Sequence, residues 1–332
     1  MRTAERHPVP RYAGQDTMQP VATASAGQES RLSSRNERGR RRAVTIAGFV
    51  LPALIVYVLF VLYPIAQAAY YSAFDWNGLG PLVNFVGLDN YRRLISDNVF
   101  RMALQHNLII LALSLVIQLP IALLVALLIR SNIPGRAFFR TVFFLPYVLS
   151  EVITAVIWVF MYRPETGVIN TALSAVVPAF EPRGFLAEPD VVLYAIFAVI
   201  TWKFFGFHMI LYLAGLQGIP AELEDAARVD GASPFEVLRD VTLPLLGPTV
   251  RVSVFFSVLG SLQFFDLIWV MTKGGPINAS NTMATYMYTY GFQRFQLGYG
   301  AAVSLVIFLI CFVFSIVYQR AVMRRDLEGA MT

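Results

Sequence analysis

Charged residues are scarce in this 332-residue chain, where Asp, Glu, Lys and Arg make up 14% of the sequence and hydrophobic residues make up 57%. A soluble domain carries about 25% charged residues, so this composition predicts a protein that crosses a membrane several times. Six apolar runs reach the roughly 20 residues that a transmembrane helix needs. They lie at residues 44–74, 100–129, 137–161, 191–215, 245–271 and 298–322. We therefore predict an all-α, polytopic fold with six transmembrane helices.

Residues that commonly carry catalysis are few or isolated. Cys311 is the single cysteine, which excludes a disulfide within the chain, and the three histidines are far apart in sequence. The sequence contains neither the GxxxxGK(S/T) phosphate loop nor the GxSxG turn that carries the nucleophile of many hydrolases. We therefore predict that the chain is not an enzyme and has no catalytic residues, metal site or cofactor of its own.

Basic residues outnumber acidic ones, and the net charge of +5 comes mostly from arginine. Much of that arginine lies beside apolar runs, which indicates membrane topology rather than nucleic-acid binding. The distribution places both termini in the cytoplasm. We predict a multi-pass protein surrounded by lipid in a plasma membrane. We predict a disordered cytoplasmic tail at residues 1–42, a six-span domain at residues 43–325 and a short cytoplasmic tail at residues 326–332.

The loop between the fourth and fifth runs, residues 219–248, is the most charged segment in the second half of the chain, and we call it the hook. Its sequence predicts two short helices on the cytoplasmic side. Gly231 suits a left-handed turn after the first helix, and Ser233 with Glu236 forms a capping box for the second. We expect Pro244 to end the second helix and open the next one.

Polar side chains within apolar runs are costly unless they face the protein interior or a water-filled path. Because carbohydrate sites commonly combine flat apolar faces with hydrogen-bonding groups, we predict that six residues line the substrate path: Asn107, Glu151, Trp202, Gln263, Phe264 and Asp266. Structural roles stay open for some of them. Asn107 could join two helices by hydrogen bonds, Trp202 could lie at the membrane interface, and Lys203 could pair with Glu151 or Asp266.

The hook carries a spaced motif: Asp225-Ala226-Ala227, then Gly231, then Leu243-Pro244. This pattern resembles the EAA loop of ABC-importer permeases. The chain is similar to the binding-protein-dependent sugar permeases, of the maltose and glycerol-phosphate kind, over about residues 46–325. It departs from the family at Asp225, where glutamate is usual, and at Leu238, where an aromatic residue is usual. Both changes are mild and leave the expected role intact.

Three further matches lie outside the hook, in the loops predicted to face the outside. They are Asn84-Phe85 with Asn90-Tyr91, then Ile169-Asn170, then the stretch from Thr272 to Pro276. The last of these favours the sugar branch of the family.

The resemblance implies a type I ABC importer permease with a cytoplasmic EAA helix–turn–helix, the coupling loop at residues 219–244. It assigns ATPase coupling to Glu222, Asp225, Ala226, Ala227, Gly231, Leu243 and Pro244. The implied partners are a second six-span permease subunit, often in a heterodimer, two ATP-binding cassette subunits and an extracytoplasmic solute-binding protein. ATP and Mg²⁺ would bind the partner ATPase, and carbohydrate import by alternating access would take place in a prokaryotic cell membrane.

Two other functions stay open from the sequence. The same permease fold could import a sugar phosphate, a polyol or another small solute. A protein of a different class, a secondary transporter or channel that runs without ATP, could also have this composition, although the hook argues against it.

Overall fold

A computed structural model describes residues 45–130 and 134–323, so the predicted tails at residues 1–42 and 326–332 lie outside the described residues. The chain divides into two compact units, Met1–Pro64 and Ile65–Thr332. Within the described ranges the regular structure is helical, with a single isolated bridge between Phe74 and Phe85 as the one β-type pairing. This confirms the all-α prediction.

The long helices and the shorter ones between them follow in chain order. They are α1 (Thr45–Tyr71), α2 (Asp89–Ser96), α3 (Asn98–Arg130), α4 (Arg136–Val148), α5 (Glu151–Met161), α6 (Val168–Val176), α7 (Val192–Gln217), α8 (Ala221–Val229), α9 (Pro234–Gln263), α10 (Asp266–Thr272), α11 (Met283–Tyr288) and α12 (Leu297–Met323). Five of the described helices, α1, α3, α7, α9 and α12, are each long and apolar enough to cross a membrane. The pair α4 and α5 supplies the sixth span when the two are counted together.

The third predicted span, residues 137–161, is bent rather than straight, because α4 and α5 meet at 99°. Pro146 lies in the last turn of α4, where its ring removes a backbone donor and crowds the preceding turn. The helix ends two residues later. Lys203 on α7 then donates from Nζ to the carbonyls of Pro146, Tyr147 and Leu149, which caps the free end of α4.

Three apolar clusters hold the second unit together. The first joins α5, the first half of α7 and α10, and the second joins α3 with α9, α11 and α12. The third packs the end of α3 against the second half of α7 and the start of α9, around Ile129, Tyr212 and Leu246. Because α3 and α7 take part along their length, they fix the other helices relative to one another.

The connecting segments are more ordered than their composition indicates. Asn90 lies in the short helix α2, and its amide donates to the carbonyls of Ser72 and Phe74. The loop at residues 163–190 contains the short helix α6. Asn170 stabilises that loop by bonding main-chain atoms of Arg163 and Arg183.

Candidate functional site: the hook and the cavity

The hook forms the two helices that its sequence predicts. Its first helix is α8, and Gly231 follows it with a φ of +92°, a conformation that disfavours any side chain. The second helix begins with the predicted capping box, in which the Ser233 amide donates to the Glu236 carboxylate at 2.7 Å and the Glu236 amide donates to the Ser233 hydroxyl at 3.4 Å. The end of the first helix and the start of the second are therefore each fixed by a specific residue or cap.

The expectation that Pro244 ends the second hook helix is wrong. The helix runs without a break into the fifth span as α9, because a π-helical turn, Val237–Thr242, directly precedes the proline. In the wider turn, the Leu243 amide donates to the carbonyl of Leu238. Pro244 then lies in the first turn of the α-helical segment that follows, where its missing amide donor costs little. The hook and the fifth span are consequently one mechanical element.

The residues that the resemblance assigns to ATPase coupling lie mainly on an open surface of the hook. Glu222, Asp225 and Ala226 are exposed, as are Gly231 and Pro244, while Ala227 and Leu243 are half-buried. Large apolar side chains accompany them, with exposed fractions of 87% for Val229 and 67% for Phe235. An apolar surface on a charged helical hairpin is typical of a protein contact.

Glu224 departs from its neighbours because its side chain turns inward and is buried. Its carboxylate accepts from the Arg130 guanidinium at 2.7 Å and from the Thr242 hydroxyl at 2.8 Å. Burial would raise the pKa of Glu224, but those two bonds and the charges of Arg130 and Arg228 hold it below its ordinary value. The sequence alone did not single out Glu224, since its partners lie on other helices.

A cavity of about 500 Å³ lies between α3, α7, α9 and the bend of the third span. Four of the six residues predicted for the substrate path line it, namely Glu151, Gln263, Phe264 and Asp266. The break between α4 and α5 places Glu151 at the start of α5, and a second break after Gln263 places Asp266 at the start of α10. Two interrupted helices thus present carboxylates to one space.

Asn107 and Trp202 lie elsewhere. The Asn107 amide is buried and donates to the Ser261 carbonyl at 2.7 Å, while its oxygen accepts from the Met283 amide at 2.9 Å. This is the helix-joining role that the sequence left open. Trp202 packs edge-on against Trp158, with ring centroids 5.5 Å apart, and lines a separate apolar groove.

Lys203 does not form the ion pair that the sequence left open. Its Nζ is taken by the carbonyls at the end of α4, and within the described ranges no carboxylate lies within salt-bridge distance of it. His208 packs between α7 and α9, with Nδ1 2.8 Å from the Ser253 hydroxyl, and it also lines the cavity wall.

Several cavity residues were not singled out from the sequence, among them Ser114, Tyr147, Phe204, Phe207, Ser257 and Ser261. Gln118, a polar residue within an apolar run, also lines the wall. The hydroxyl of Ser257 is buried and has no hydrogen-bond partner among the described residues. Ser257 and Ser261 are four residues apart, which places them on one face of α9, so helical periodicity was a usable signal.

Comparison with known proteins decides the family. Residues 118–325 match the binding-protein-dependent transport system inner membrane component family. The chain belongs to that family. It is 36% identical over 271 residues to a probable ABC transporter permease protein of Pyrococcus horikoshii, covering 81% of this chain and 92% of the relative. It is 31% identical to the diacetylchitobiose uptake system permease protein of Streptomyces coelicolor, over 90% of this chain and 89% of the relative.

Solved structures agree with this assignment. The fold superposes on a chain of a bacterial ABC transporter that imports the acidic polysaccharide alginate, with a TM-score of 0.76 and 26% identity. The match covers 88% of this chain and 99% of the other. This chain is therefore an inner-membrane ABC importer permease subunit with the type I fold, and it is a transport subunit rather than an enzyme. Within the described ranges no three potential metal ligands cluster together.

Proposed function

We propose that this permease subunit forms half of the translocation path for an uncharged sugar or oligosaccharide. The observation that carries the proposal is the cavity, whose wall combines the aromatic faces of Tyr147 and Phe204 with the hydroxyl, amide and carboxylate groups of Ser257, Gln263 and Asp266. Flat apolar faces beside hydrogen-bonding groups suit a sugar ring. Relatives named for diacetylchitobiose and for lactose transport support the same class of cargo.

A phosphorylated sugar fits the cavity less well. Glu151 and Asp266 are the acidic groups of its wall, and no lysine or arginine lines it in the described part of the chain. A phosphate would meet repulsion from both carboxylates in a partly desolvated space, where charge interactions are stronger than in water. The two carboxylates would repel an acidic polysaccharide for the same reason, so this cavity differs from a site made for such a substrate.

The hook supplies the second half of the proposal. We infer that its exposed surface, which includes Glu222, Asp225 and Ala226, docks into a cytoplasmic ATP-binding subunit that holds ATP and Mg²⁺. Two such subunits, a second permease subunit and an extracytoplasmic binding protein would complete the importer in a prokaryotic plasma membrane, with both termini in the cytoplasm. A hook that continues into α9 transmits a displacement to the Ser257 and Gln263 wall without an intervening joint.

The test is uptake by the complete importer, reconstituted in vesicles, of a neutral disaccharide and of its phosphate ester. We expect uptake of the neutral sugar alone, and we expect Gln263→Ala and Asp266→Ala to reduce it about tenfold, as loss of a polar contact worth about 1.4 kcal/mol would. Binding of the ATPase subunit should stay unchanged in both variants. Preferred uptake of the phosphate ester, or unaltered uptake in both variants, would refute this map of the site.

A further inference from the structure

The buried carboxylate of Glu224 ties the hook to a helix that is not its neighbour in the chain. Covalently, the hook continues only from α7 and into α9. Glu224 reaches Arg130, the last residue of α3, at 2.7 Å, across 94 positions of sequence. Thr242, at the start of the fifth span, donates to the same oxygen at 2.8 Å. We call these three residues the Glu224 clamp.

The Glu224 clamp is a largely buried contact rather than a surface ion pair. The side chain of Glu224 is 10% exposed and that of Arg130 is 27% exposed, whereas both partners of the nearby Arg228–Asp225 pair are more than half exposed. The third apolar cluster packs the same end of α3, at Ile129, against Leu246 of α9, four residues beyond Thr242. A buried ion pair with a second donor on the same oxygen holds its geometry far better than an exposed one.

The position of Arg130 gives the clamp a mechanical consequence. After Arg130 the chain leads within a few residues to α4, and α4 leads through the bend to Glu151 on the cavity wall. Displacement of the hook therefore acts on α3 and the third span as well as on α7 and α9. Without the clamp, the hook would keep its covalent links to α7 and α9, but only apolar packing would carry its displacement to α3.

We propose that Glu224, Arg130 and Thr242 are positioning residues that carry hook movement to the second and third spans. The proposal rests on the proposed coupling of the hook to an ATPase. It assigns to Glu224 a role distinct from that of the exposed Glu222 and Asp225, which face outward from the same helix. The clamp works inside this chain, and the exposed residues work between chains.

The test is a double-substitution cycle in the reconstituted importer, with Glu224→Gln, Arg130→Gln and both together. Gln keeps the length of Glu224 and its bond from Thr242 while it removes the charge. We expect each single variant to lower the amount of sugar transported per ATP hydrolysed by about fivefold or more, the lower bound typical of a coupling free energy between sites. We expect the double variant to lose no more than the worse single one, because both changes remove the same interaction.

Three measurements keep the result interpretable. The ATPase subunit must co-purify with each variant, and ATP hydrolysis must persist while uptake falls, which a merely structural defect would not produce. Asp240→Asn removes an exposed ion pair of the same hook and serves as the matched control, with no change expected. Unchanged transport per ATP in both single variants, or a parallel loss of hydrolysis and uptake, overturns the inference alone. Uptake by the unmodified importer that needs no ATP overturns the proposed function and this inference with it.

Discussion

Single residues set the shape of the hook, and Gly231 shows this most simply. Its φ of +92° lies where side chains are disfavoured, and a Cβ added there would meet nothing within 4 Å. The cost of a substitution is therefore conformational rather than steric, about 1–2 kcal/mol for an ordinary residue. Because the turn fixes the angle between the two hook helices, that cost is expressed as a change in hook geometry and not as a gap in the core.

Gly231→Asp should consequently assemble in the membrane but transport little sugar for the ATP that is hydrolysed. Gly231→Asn is the graded comparison, since asparagine tolerates positive φ better. Gly218→Ala is the matched control, since Gly218 has a helical φ of −79° and a Cβ there would make only an ordinary contact, 3.4 Å from the Gly215 carbonyl oxygen. Co-purification with the ATPase and uptake per ATP are the measurements. Normal uptake by Gly231→Asp would show that the turn has no part in coupling.

At this scale the sequence predicts local features well and remote ones poorly. The glycine turn and the Ser233–Glu236 box were predictable because each depends on residues within a few positions. The contacts of Glu224 and Lys203 were not predictable, because their partners are remote in sequence. Glu224 accepts from Arg130 of another helix, and Lys203 donates to carbonyls at the end of α4. A charge in an apolar run indicates that a partner exists, but only the packing of helices identifies it.

Helices, like single residues, were predictable from the sequence where their cause is local and not where it lies in distant residues. Helical runs were predictable from hydropathy, and every one of the six corresponds to a helix or helix pair. The bend in the third span was not, although Pro146 gave a local signal, because the angle depends on how α4 meets α7. At Pro244 the local signal predicted a helix end that is absent, since the π-helical turn ahead of it lets α9 continue.

Gly206 fixes how closely α4 and α7 approach. A Cβ at this position would overlap the carbonyl oxygen of Phe143, a main-chain atom that cannot move aside. Gly206→Ala should therefore force the helices apart and destabilise the protein by about 1–3 kcal/mol, the usual cost of overpacking. The melting temperature of the purified protein measures this. Gly260→Ala is the matched control for stability, since a helical Cβ there meets nothing within 4 Å, and an equal fall in both variants would contradict the expectation.

The described chain, taken as a whole, joins the cavity and the exposed surface of the hook through continuous helices. α9 carries both the second half of the hook and the Ser257 wall of the cavity, and the Glu224 clamp adds α3 to that connection. The fold and the family were predictable from the spacing within the hook. The outline of the cavity was predictable only in part, because four of six residues line it and Asn107 and Trp202 do not.

Energy coupling between a partner ATPase and the sugar is the central property that we propose for this arrangement. We would measure sugar uptake into vesicles that hold the complete importer, with binding protein outside and ATP inside, and compare ATP with a non-hydrolysable analogue. We expect accumulation of sugar against its gradient with ATP and none with the analogue. Equal uptake with both nucleotides would contradict an ATP-driven importer and favour a channel or secondary transporter.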